Sequence, residues 1–172
     1  MFLKRFFQRP TAPERSAYEA IVAAARHPRF YADWGVADSL DGRFDMIALH
    51  AYLLLDRLKG EAPEFRQALV DELFRDMDRS LREMGVGDLS VGKKVRKMAE
   101  VFYGRVAAYD KALAEEGDAL DAAVSRNIFP EGTSGDGPRH IAAYIRQSRV
   151  ALGHQPVTGI AAGTVHFMEP QE

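Results

Sequence analysis

The stretch GVGDLSVGKK, from Gly85 to Lys94, comes closer than any other part of the sequence to a chemical signature. Gly87, Gly92 and Lys93 occupy the fixed positions of the phosphate-binding loop G-x-x-x-x-G-K-[ST], but Lys94 replaces the Ser or Thr that would hold magnesium. That loop follows a buried β-strand, whereas the preceding FRDMDRSLREM has helical spacing and many charges. A nucleotide-binding switch is therefore disfavoured.

The same stretch is interpreted instead as the bend of an α-helical hairpin. Gly85 ends one helix in a left-handed conformation, Gly87 permits a tight turn, and Ser90 is expected to cap the next helix. The lysines after the bend then serve contact with another macromolecule and not chemistry on a phosphate.

Basic side chains gather around this bend. Between Arg75 and Lys97 seven basic residues face four acidic ones, a net charge of +3. Asp78–Arg82 and Arg79–Glu83 have the i,i+4 spacing of helical ion pairs, which partly neutralises the first helix. A solvated face and a docking surface for an acidic partner, RNA or anionic lipid both remain open. The candidate partner-binding residues are Arg79, Arg82, Asp88, Lys93, Lys94, Lys97, Tyr103 and Arg105.

Aromatic residues follow the lysines. Phe102 falls on the predicted core stripe and Tyr103 lies about 100° further round the helix. Gly104 is a poor helix residue, so we expect it to admit a close neighbour, preferably another helix of the same domain, with the chain of a partner as the alternative.

Histidines and carboxylates give no recognisable catalytic or metal-binding pattern. His50 lies beside an apolar stripe and is interpreted as a half-buried structural histidine, with a haem ligand as the alternative. The acids Asp38, Asp41 and Asp45 miss the spacing of a calcium loop and suit turns and caps, with Asp41 as the expected helix N-cap. We therefore expect no catalytic residue, no metal and no cofactor.

Composition limits the class of protein. The 172 residues are 47% apolar and 28% charged, and the net charge of −2 argues against a general DNA-binding protein. The chain has no cysteine, and no apolar run reaches the length of about 20 residues that spans a bilayer. Residues 1–10 form an amphipathic extension in which Phe2, Leu3, Phe6 and Phe7 either fold back or touch a membrane surface.

Apolar spacing predicts an all-α fold: a single compact domain over residues 1–172 with about five to seven helices and a helical hairpin at 63–113. Four-residue and three-residue steps predict one apolar face on the helix from Phe44 to Leu58, ended by Gly60. Residues 154–172 show no sustained period and are expected to form an irregular tail, with Val165 and Phe167 packed on the surface.

Several long segments resemble the ubiquinol–cytochrome c chaperone family. The resemblance covers about residues 26–127 and is carried by DGRFDM, FRDMD, LREMGVGDLSVGKK and FYGR. Short ends without a long transit peptide or membrane anchor are typical of a bacterial-type member, expected in the cytoplasm or at the periphery of the inner membrane; mitochondrial relatives lie in the matrix.

This resemblance implies a non-enzymatic assembly chaperone of the cytochrome bc complex that holds newly made cytochrome b. Further implied partners are a membrane surface, the ribosome exit region or a second assembly factor. A peripheral membrane or haem-binding helical module is the alternative function. Four methionines, Met46, Met77, Met84 and Met98, either fill the core or line an adaptable client groove.

Overall fold

The computed structural model describes residues 12–133 and 135–171. It has eight helices in these ranges, in keeping with the helical spacing of the sequence. No strand occurs within these ranges, so the all-α prediction is confirmed. Six helices have ten or more residues, within the expected five to seven, and two have five residues each. They are α1 (Pro13–Ala25), α2 (Pro28–Ala32), α3 (Leu40–Arg57), α4 (Pro63–Glu83), α5 (Asp88–Ala114), α6 (Ala119–Ile128), α7 (Gly137–Gly153) and α8 (Val157–Ala161). The expected extension at residues 1–10 lies outside the described residues.

Helix α3 is the centre of the fold. It packs against α1, α5, α6 and α7, and its residues 48–55 are buried without interruption. The predicted apolar face does pack on the core, with Leu54 and Leu58 buried and Phe44 and Ile47 half-buried, but it is not the only buried face, because every side of residues 48–55 is covered. A helix enclosed by four others needs apolar residues all round, as the run MIALHAYLLL supplies.

The start of α3 also differs from the prediction. Ser39, not Asp41, is the N-cap, because the Ser39 hydroxyl accepts a hydrogen bond from the Gly42 amide at 3.1 Å. Asp41 lies in the first turn of the helix, where its charge suits the positive end of the helix dipole.

The hairpin of α4 and α5 has the bend that the glycines predict. Gly85 has φ of +85°, and two hydrogen bonds close the turn, Gly85 N–H to Arg82 O at 2.9 Å and Val86 N–H to Leu81 O at 3.0 Å. This pair of bonds is a Schellman motif. Helix α5 begins at Asp88 with Gly87 as its N-cap, so Ser90 lies inside the first turn and the prediction that it caps the helix is wrong.

The C-terminal segment is fixed to the body by polar contacts. The side chain of Gln155 exchanges hydrogen bonds with the backbone of His166, at 2.6 Å to the carbonyl oxygen and 3.0 Å from the amide. Val165 is buried and Phe167 half-buried against the core. The expected irregular tail thus contains the short helix α8 and then an extended segment that packs as anticipated.

Replacing Gly85 by alanine tests the bend. A left-handed conformation costs an L-residue roughly 1–2 kcal/mol, so we expect Gly85→Ala to lower the free energy of unfolding by about that amount. Gly104→Ala is the matched control, because this mid-helix glycine has a negative φ and open space around it. Urea denaturation should show it to be more stable by about 0.5–1 kcal/mol. Equal effects of the two substitutions would contradict the left-handed turn.

Candidate interaction surface

One side of α5 faces solvent along most of its length. We call it the outer face of α5 and define it by the exposed residues Leu89, Lys93, Arg96, Lys97 and Tyr103. At about 100° per residue they share one side of the helix, opposite the buried Val91, Phe102 and Tyr109. The predicted cluster of Lys93, Lys94 and Lys97 therefore lies on the surface, and Lys97 Nζ pairs with Glu100 Oε2 at 3.2 Å. No ion pair involves Lys93, Lys94 or Arg96 among the described residues.

The arginines at the end of α4 are engaged within the hairpin. Arg82 Nε lies 2.6 Å from Asp78 Oδ1, which confirms the predicted pair, and the same guanidinium reaches Asp88 at the start of α5. Arg79 pairs with Asp76 and not with Glu83 as predicted. These carboxylates satisfy both arginines, so the lysines of α5 carry most of the positive charge offered to a partner.

Two glycines open the surface of α5. A Cβ atom built on Gly92 or Gly104 would meet no atom within 4 Å. The expectation that Gly104 admits another helix of this domain is therefore wrong. The neighbouring Tyr103 is 53% exposed and packs its ring against Phe74 and Phe102. A rigid, half-exposed aromatic ring beside an open glycine suits an anchor for another chain.

Arg105 points into the protein, which removes it from this surface. Its side chain is 16% exposed, and Nη2 lies 2.5 Å from Oδ1 of the buried Asp45 on α3. The guanidinium carbon also lies 5.6 Å from the ring centre of Phe44. Arg105 thus ties α5 to α3.

Burying the charges of Asp45 and Arg105 has an electrostatic cost. Burial raises the pKa of Asp45 to about 6, although the charge of Arg105 acts in the opposite direction. Neither Asp45 Oδ1 nor Arg105 Nε and Nη1 has a hydrogen-bond partner in the described structure. Few hydrogen bonds therefore stabilise this ion pair, and each buried charge is compensated mainly by the other.

His50 has no free nitrogen for haem. The ring is fully buried, not half-buried as expected, and Nδ1 donates to the Met46 carbonyl oxygen at 2.7 Å. Nε2 accepts from the Tyr144 hydroxyl at 2.9 Å, and the rings of Phe30 and Phe167 pack at its sides. Burial lowers the pKa of His50 to about 4, so the ring is neutral at physiological pH.

The described ranges can also be checked for a metal site, a membrane span and a phosphate-binding loop. They contain no group of three or more His, Asp or Glu side chains placed to hold a metal ion. None of their helices has the length and apolarity to cross a bilayer. A helix, α4, and not a strand precedes Gly87, as the hairpin interpretation predicted.

Sequence reasoning missed the apolar end of the hairpin. Leu89 is fully exposed, and Met84, considered for the core or for a client groove, is 51% exposed. Met46 and Met77 are buried and Met98 is half-buried, so Met84 is the surface methionine of the four considered. Their position in the sequence could have indicated this exposure, because both residues flank a bend that lies beyond the last buried turn of α4.

The fold and this surface can be compared with known proteins. Residues 32–167 match the family described as ubiquinol–cytochrome C chaperone. A crystal structure of the Cbp3 homolog from Brucella abortus is 44% identical and superposes with a TM-score of 0.81, covering 92% of this chain and 90% of that chain. The chain belongs to the ubiquinol–cytochrome c chaperone family, which confirms the resemblance.

Curated relatives extend the comparison to animals. Ubiquinol–cytochrome c reductase complex assembly factor 1 of Xenopus laevis is 24% identical over 135 residues, 77% of this chain and 66% of the relative. The Homo sapiens protein of that name is also 24% identical over 135 residues, which are 44% of its length. The chain thus corresponds to only part of each relative.

Breaking the buried ion pair tests its structural role. Arg105→Gln leaves the Asp45 carboxylate buried without its partner, so we expect the free energy of unfolding to fall by roughly 3–5 kcal/mol at neutral pH. The loss should shrink in acid, where the carboxyl group is protonated. Arg82→Gln, an exposed control, should change stability by about 0.5 kcal/mol or less in the same urea titration. A similarly small effect of Arg105→Gln would show that the pair is dispensable.

The pKa of His50 predicts an acid sensitivity. Unfolded histidine binds a proton near its ordinary pKa of 6.5, whereas folded His50 does so near 4. The unfolded state therefore takes up more protons between these values, and this group alone should remove about 3 kcal/mol of stability as the pH falls through them. The raised pKa of Asp45 gives a slope of opposite sign over an overlapping range.

The comparison with His50→Gln isolates the histidine contribution, because this variant should lose less stability over the same pH range. NMR titration of the wild-type His50 ring gives an independent measurement. A ring that titrates near pH 6.5 would contradict the buried, neutral assignment.

Proposed function

We propose that this protein is a non-enzymatic assembly chaperone of the cytochrome bc complex, complex III, and that it holds newly made cytochrome b. Membership of the ubiquinol–cytochrome c chaperone family supports the first part. Relatives named assembly factors of ubiquinol–cytochrome c reductase support the same role. The observation that carries the second part is that the basic outer face of α5 is exposed to solvent.

The outer face of α5 suits a partner that is polar as well as apolar. Lys93, Arg96 and Lys97 attract acidic loops, and Tyr103 offers a ring that loses little conformational freedom on binding. Gly104 lets the backbone of the client lie close to the helix. Newly made cytochrome b is a membrane protein with polar loops, and such loops are the segments that this face recognises.

The remaining parts of the proposal concern place and partners. The whole chain, 1–172, acts as one helical chaperone domain, in the cytoplasm or at the periphery of the inner membrane. The protein meets its client at the ribosome exit region or together with a second assembly factor. The protein acts by binding alone, without a catalytic residue or cofactor.

Gene deletion with complementation tests this function. In a host that contains complex III, deletion should lower the amount of assembled complex and the rate of ubiquinol oxidation, and the wild-type gene should restore both. The double variant Lys93→Glu/Lys97→Glu should restore them poorly and should capture at least roughly tenfold less cytochrome b, because two attractive charges become repulsive.

Arg139→Glu is the matched control, since Arg139 is an exposed cation on α7, away from the hairpin. It should capture cytochrome b as the wild type does, and circular dichroism should show the same helix content for all three proteins. Normal complex III after deletion would end the assembly proposal. Unchanged capture by the double variant would remove α5 from the client site.

A further inference from the structure

The end of the hairpin combines exposed apolar and basic side chains. We call Met84, Leu89, Lys93 and Lys94 the hairpin end. Leu89 is fully exposed and Met84 is 51% exposed. Residues 84–97 hold four cations and one carboxylate, a net charge of +3, whereas the rest of the chain then has −5. Positive charge is therefore concentrated where two apolar side chains stand free of the protein.

The hairpin end projects from the body of the domain. On α4 the buried core residues stop at Met77, and on α5 they resume at Phe102. Val91 is buried but lies outside the main core cluster, so it packs within the hairpin itself. The cavity of about 310 Å³ between α1 and α4 reaches no further along the hairpin than Asp76. Met84 and Leu89 thus lie outside that cavity and beyond the last main-core residue of each helix.

We propose that the hairpin end docks on the surface of an anionic lipid bilayer, with Leu89 and Met84 entering the headgroup region and Lys93 and Lys94 facing the lipid phosphates. A peptide or helix binds in a groove, whereas a bilayer interface accepts a protruding apolar tip. Lysines beside that tip match the negative potential of the surface. Leu89 and Lys93 also belong to the outer face of α5, where the client is proposed to bind, so Met84 and Lys94 are the residues that separate the lipid contact from the client site.

Leu40 and Val150 are exposed apolar residues that lack this combination. Leu40 is 67% exposed but lies beside the acidic residues Asp38 and Asp41. Val150 on α7 is 62% exposed and stands without a second exposed large apolar residue on its helix. These positions therefore provide matched controls for the hairpin end.

A tryptophan at the tip reports insertion directly. In the full-length protein Leu89→Trp should show a blue shift of fluorescence with vesicles of phosphatidylcholine and phosphatidylglycerol, and no shift with phosphatidylcholine alone. Val150→Trp should show no shift with either vesicle. The natural Trp34 is buried in both proteins and supplies a constant background. An unshifted Leu89→Trp spectrum with anionic vesicles would overturn the proposal, even if the protein co-sediments through another segment.

Affinity measurements give the second readout. Leu89→Glu should weaken binding to the anionic vesicles roughly tenfold, and each of Lys93→Gln and Lys94→Gln should weaken it about fivefold. Val150→Glu should bind as the wild type does. If Leu89→Glu reduces capture of cytochrome b but leaves vesicle affinity unchanged, the hairpin end is a protein contact and the lipid assignment is wrong. If Lys94→Gln, at a position outside the outer face of α5, weakens vesicle binding while cytochrome b is still captured, the lipid contact stands apart from the client site.

Discussion

The ion pair between Asp45 and Arg105 determines how the hairpin is attached to the rest of the protein. Asp45 lies near the start of the central helix α3, and Arg105 lies two thirds of the way along α5. A buried carboxylate is costly without its partner, so the two helices are held in the one register that brings these groups together. The cost is visible in the raised pKa of Asp45. The pair therefore selects a position for α5 more than it adds net stability.

This attachment divides α5 into two parts with different roles. From Phe102 onward the helix carries Phe102, Tyr109 and Ala112 into the main core. Before it, the first turns pack against α4 and otherwise face solvent. Polar contacts also hold α4 against α1. Arg15 Nη1 of α1 lies 2.6 Å from Oε1 of the buried Glu72, and the Tyr18 hydroxyl donates a hydrogen bond to Asp76 Oδ2 at 2.7 Å. The hairpin is thus rigid at its base and exposed at its end.

The same ion pairs explain why the lysines of α5 are available. Acidic residues of α4 are matched with arginines of α1 and α4, as Asp78 with Arg82 shows. Individually such exposed pairs add little stability, typically up to about 1 kcal/mol. Their effect here is on charge distribution, because they engage arginines of α4 with carboxylates while Lys93 and Lys94 have no ion-pair partner among the described residues. The protein therefore has a local basic surface although its total charge is negative.

Apolar spacing, prolines and glycines act locally, so the sequence was enough to predict the all-α fold and the hairpin at 63–113, although not the short helix α8. Gly85 could be assigned to a left-handed turn because few other residues tolerate that conformation, and the family could be recognised from contiguous segments. Only the tertiary structure decided that Asp45 of DGRFDM meets Arg105 of FYGR, that Gly104 opens to solvent, and that Leu89 is fully exposed. Helical periodicity states which residues share a face, but burial of that face depends on the neighbours that cover it. Those neighbours come from distant parts of the chain, where local spacing carries no information.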